Sequence, residues 1–136
     1  MSPLASALLP VQKAIFTALT ADATLTGKVV GIFDWVPDGS GFPYVVIGEA
    51  TEALADTQDH DGRDITCTLH VWSQAKGFTE CLGLAQDLNR ILHHQILPLV
   101  GASWIYCSCE LLEPMHDPDG ITRHAVLQYR LFVQIP

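Results

Sequence analysis

WIYCSCELLEPMHDPDGITRHAVLQYRLFVQI, residues Trp104–Ile135, is the stretch that decides the fold. In its second half Ala125, Leu127, Tyr129, Leu131, Val133 and Ile135 fall on alternate positions, the period of a strand with one buried face. Trp104–Leu112 reads as a second alternating run, and Asp117-Pro118-Asp119-Gly120 joins the two. Pro118 presets φ for a turn, Gly120 supplies a left-handed position, and each Asp can bond nearby backbone amides. The stretch therefore reads as a β-hairpin with one apolar face. It specifies half-buried antiparallel sheet and describes no active site.

Working back toward the N-terminus, Gly77 precedes a helix. Phe78, Cys81, Leu82, Ala85, Leu88, Leu92 and Ile96 form its wide apolar stripe, and Pro98 stops it. Before it, Ile65, Cys67, Leu69 and Val71 alternate with Thr66, Thr68, His70 and Trp72, a strand. Pro43–Gly48 is another strand, with Pro43 fit only for its first residue or an edge. The polar segment Glu49–Asp64 between them reads as two strand ends reaching into a long, mobile hairpin loop. Asp34–Phe42 is loop, and Val29–Phe33 a short apolar strand. A first helix opens at Ser2-Pro3 and carries Leu4, Leu8, Val11, Ile15 and Leu19 to about Ala21-Asp22. Pro10 either kinks it or moves its start to about residue 9. The expected fold is α+β: a mainly antiparallel sheet of about five strands against two amphipathic helices, in the order α-β-β-β-α-β-β. No boundary or repeat divides residues 1–136, so one domain is expected.

The composition supports a packed core, with 49% hydrophobic and 16% charged residues. The 7 basic against 15 acidic residues give a formal charge of −8, a poor basis for gripping nucleic acid. No segment has the roughly 18 apolar residues of a membrane span, and Met1-Ser2-Pro3-Leu4 does not open a signal peptide. A soluble cytosolic protein with free, buried Cys67, Cys81, Cys107 and Cys109 is the expectation.

Candidate chemistry is thin. Asp56, Asp59, His60, Asp61 and Asp64 are metal-capable, but no bidentate Glu closes a calcium loop. Cys107 and Cys109 place two sulfurs on one side of a strand without two further zinc ligands in any recognised spacing. His93-His94 point in different directions from a helix, and His70 and His116 lie at strand ends. Gly39-Ser40-Gly41 precedes a strand and is no nucleophile elbow. The reading assigns no catalytic residue, cofactor or metal. Trp35, in a turn-rich loop, is a candidate interface anchor, whereas Trp72 and Trp104 take the register opposite the expected core.

Taken together, Phe33-Asp34-x-Val36-Pro37, Pro43–Gly48, Leu69-His70-Val71-Trp72-Ser73 with its Gly-led helix, and Asp117–His124 resemble the tail-completion family of long-tailed phages and gene transfer agents. The resemblance implies a lambda-terminator-like fold and a structural role. Six copies would form a homohexameric ring on the end of the tail tube, stop its polymerisation, and join the head-completion, or stopper, protein. DNA would pass through without specific binding. The chain would reside in the virion or gene transfer agent tail, assembled in the bacterial cytoplasm.

On that reading the residues expected at protein interfaces are Trp35, Asp38, Glu49, Glu52, Asp56, Asp59, Asp61, Arg63, Asp64, Asp117 and Asp119. The acidic surplus suits a channel along which DNA slides. The alternatives are a head–tail connector or stopper subunit, a small cytosolic enzyme or ligand-binding domain with a cavity lined by His70, His116 and the aspartates, and a metal protein using Cys107 and Cys109.

Overall fold

A computed structural model describes residues 5–136. The elements in chain order are α1 (Leu8–Ala21), α2 (Ala23–Thr26), β1 (Ile32–Phe33), β2 (Tyr44–Leu54), β3 (Asp61–Ser73), α3 (Thr79–Leu92), β4 (Ser103–His116) and β5 (Arg123–Ile135). They form one sheet in the order β1-β2-β3-β5-β4, antiparallel throughout except for the β1–β2 pair. α1 and α3 cover one face, and between them lies the core. The expected α+β architecture is present, with the four-residue α2 in addition.

β5 matches its reading to the residue. Ala125, Leu127, Tyr129, Leu131, Val133 and Ile135 are all buried, and β5 lies between β3 and β4. The turn forms as expected at Gly120 and Asp119, whereas Asp117 takes part through its backbone, its amide donating to the Thr122 carbonyl and its carbonyl accepting from the Gly120 amide. Gly120 has φ of 71°, and Asp119 Oδ1 accepts from the amides of Ile121 and Thr122 at 2.8 and 2.9 Å.

Pro10 resolves in favour of the later start. α1 begins at Leu8, so Pro10 sits in the first turn, where its missing N–H leaves no intrahelical bond unmade. The proposed opening at Ser2-Pro3, with Leu4, lies outside the described residues. Asp22 ends α1 and starts α2, where its side chain accepts from the Leu25 amide at 2.9 Å.

Three departures have physical causes. α3 stops at Leu92, well before Pro98, because His94 takes a left-handed φ of 57° and its amide bonds the Cys107 carbonyl at 2.9 Å. Ile96 is therefore exposed, and within the helix Leu84 takes the core position that the stripe gave to Leu82. The Glu49–Asp64 segment is mostly strand: β2 runs to Leu54 and β3 starts at Asp61, leaving only residues 55–60 as loop. Finally, Ile105 is an extra residue in β4, opposite the step from Val133 to Phe132. This bulge turns Trp104 onto the face of Cys107, so Trp104 is core, 4% exposed, with its Nε1 donating to the Gln95 carbonyl at 2.9 Å. A second bulge at Glu110 gives Leu112, not Leu111, the helix-side register opposite Leu127.

Candidate functional site

The expected interface residues do not converge on one site. Glu52, Asp56, Asp59, Asp61, Arg63 and Asp64 gather at the hairpin end of the sheet, Glu49 lies midway along it beside His70, and Asp117 and Asp119 lie in the β4–β5 turn at the other end. Trp35 and Asp38 lie in the loop that leaves β1, and Trp35 is 82% exposed.

Much of the hairpin's charge is spent inside the chain. Glu52 accepts from Ser6 Oγ at 2.8 Å and from the Ala7 amide at 2.7 Å, so it caps α1 from the sheet. Arg63 lies beside both Glu52 (3.6 Å) and Asp56 (3.5 Å). Asp64 holds Arg130 through two bonds of 3.1 and 2.7 Å, which lower its carboxyl pKa. Asp119 is consumed by its own turn. Asp59 and Asp61 stay exposed and make no ion pair among the described residues.

The thiols are chemically quiet. Burial pushes Cys67 and Cys107 up to about 12 and Cys81 to about 11, far from the thiolate state. Ser40 Oγ donates to the Gly41 carbonyl at 3.2 Å. His93 and His94 stack on one another with ring centroids 3.8 Å apart, contrary to the diverging pair expected from a continuous helix. Among the described residues no three His, Cys, Asp or Glu side chains are placed to hold a metal ion.

One polar cluster was not legible in the chain. On the sheet face away from the helices, His70 Nδ1 lies 2.7 Å from His124 Nε2, and His70 Nε2 lies 3.4 Å from Glu49. The His124 ring stacks on Trp72 at 3.8 Å. Gly48 makes room, since a Cβ there would come within 2.8 Å of the His70 ring. Desolvation, then the neighbouring His70, lowers the His124 pKa. Only the registers of β2 and β5 on β3 bring these residues together, and a sequence does not print register.

The remaining features are edges. β1 covers only the start of β2, so the outer edge of residues 48–54 pairs with no strand. Beside it an open groove of about 410 Å³ separates α1 from β2, lined by Leu9, Lys13, Phe16, Asp34 and Ile47 among others. At the far side of the sheet, β4 is tied by His93 and His94 as far as Cys109, and residues 110–116 have an outer edge with no strand partner. That edge exposes Leu111, Leu112 and Met115.

Residues 13–134 match the family described as tail completion protein gp17. The chain is 26% identical over 92 residues to the tail completion protein gp17 of Bacillus phage SPP1, covering 68% of each chain. Its fold is similar to that of a chain in the virion of a native gene transfer agent particle. The TM-score is 0.88 at 22% identity, over 96% of this chain and 99% of that one. The solved structure of bacteriophage SPP1 gp17 shares the fold at a TM-score of 0.67 and 24% identity, over 92% and 89% of the two chains.

Proposed function

We propose a tail-terminating role for this chain, which belongs to the tail completion protein gp17 family. It is a structural component of a phage-type or gene-transfer-agent tail. The finer reading is a ring, six copies in the expectation from resemblance, that docks on the last ring of tail-tube protein, ends its polymerisation, and offers the joint to the head-completion protein. The observation that carries this is the family match along nearly the whole chain, residues 13–134. The architecture is suited to it: a long-stranded sheet backed by helices, with a free stretch of strand edge on either side. Capping needs one face that copies the tube's docking surface and another that does not.

The test is polymerisation of purified tail-tube protein with and without this chain, with tube length read by negative-stain microscopy. A terminator shortens or caps tubes. Unchanged tube lengths would remove the terminating role and leave the connector or stopper reading. Asp59 and Asp61, exposed at the hairpin tip, suit a channel wall that repels DNA.

A further inference from the structure

We infer that the free edge of β4 in one copy docks on the free edge of β2 and the adjoining α1 groove in the next. The inference rests on the ring reading above and assigns its contact surfaces.

The two edges lie on opposite borders of one sheet, as a head-to-tail contact requires: two different surfaces, repeated around a closed rotation. Their lengths match, residues 110–116 against 48–54. Their directions also match. β2, β3, β5 and β4 alternate in direction, so β4 of one copy meets β2 of a neighbour antiparallel and extends the sheet. The free part of β4 lies level with the Thr68–Ser73 half of β3, and the free part of β2 with the Arg63–Thr68 half. That offset is the stagger of tilted strands in a sheet that closes on itself.

The side chains are complementary. A long, apolar, unpaired edge is a liability unless covered, and β4 shows Leu111 and Leu112 on its two faces. In the pairing, Leu112 takes the helix side and enters the groove beside Leu9 and Phe16, both exposed in the chain by itself. Lys13 lines that groove and makes no ion pair among the described residues, while Glu110, the extra residue of the β4 bulge, lies exposed on the opposing edge. Each copy thus brings, among the described residues, a cation without an ion-pair partner on one border and an anion without one on the other.

The experiment is light scattering of the purified chain over a concentration series, with circular dichroism to confirm folding. Leu112→Asp should abolish association. Lys13→Glu and Glu110→Lys, both at exposed positions, should each weaken it about tenfold, and the two together should restore most of the loss. Wild type that rings while all three variants ring equally well overturns the edge assignment and leaves the ring reading standing. Wild type that stays a single copy at every concentration overturns this self-association outright. In that case the tube-length assay still decides the terminating role.

Discussion

Glu52 shows what a single residue can conceal. In the sequence it is one acid in a polar segment, but in the fold its carboxylate caps α1 and faces Arg63. Glu52→Gln should cost about 1–2 kcal/mol in urea unfolding, through loss of a charged cap and of half the Arg63 pairing. Asp59→Asn, at an exposed tip, should stay within about 0.5 kcal/mol of wild type. His124 gives a pH signature. Its folded pKa lies below the ordinary 6.5, because burial and His70 disfavour its charge, partly offset by Asp117 and Glu49. The stability it contributes is complete above pH 6.5 and is lost as pH falls through the folded value. The melting temperature should therefore drop on acidification below pH 6.5, and His124→Gln should flatten that drop before the carboxylates titrate.

Among the elements, β5 was readable because both its neighbours bury the same face, so alternation survives along its full length. Tyr129 closes that face, its hydroxyl donating to Asn89 Oδ1 at 2.6 Å on α3. Tyr129→Phe should cost about 1–2 kcal/mol in chemical denaturation, since the Asn89 oxygen is left without its donor in a half-buried site. β4 was read less well. Its bulges at Ile105 and Glu110 reset which residues face the core, and bulges leave no signature in alternation. The β2–β3 hairpin was longer than its polarity suggested. Gly62 allows its tight closure, because a Cβ there would collide with the Ala55 carbonyl. Gly62→Ala should destabilise by about 1–3 kcal/mol, visible as a lower melting temperature, as the backbone shifts to relieve the overlap.

At the scale of the molecule, a charge of −8 with Lys28, Arg63, Arg90 and Arg130 already paired leaves Lys13, Lys76 and Arg123 without ion-pair partners among the described residues. Replacing Asp59 and Asp61 together by Asn should leave association of the chain intact, measured by light scattering, if the hairpin tip faces a channel or solvent. Lost association would place the tip at a contact. The sequence by itself determined the α+β class, the order of the five strands and two long helices, the β5 core face and the family resemblance, because hydrophobic period and turn chemistry are local. Only the tertiary structure decided which acids are free, where α3 ends, that Trp104 is core, and that His70 meets His124. Those depend on register, bulges and contacts between residues as far apart as Ser6 and Glu52, which no local pattern encodes.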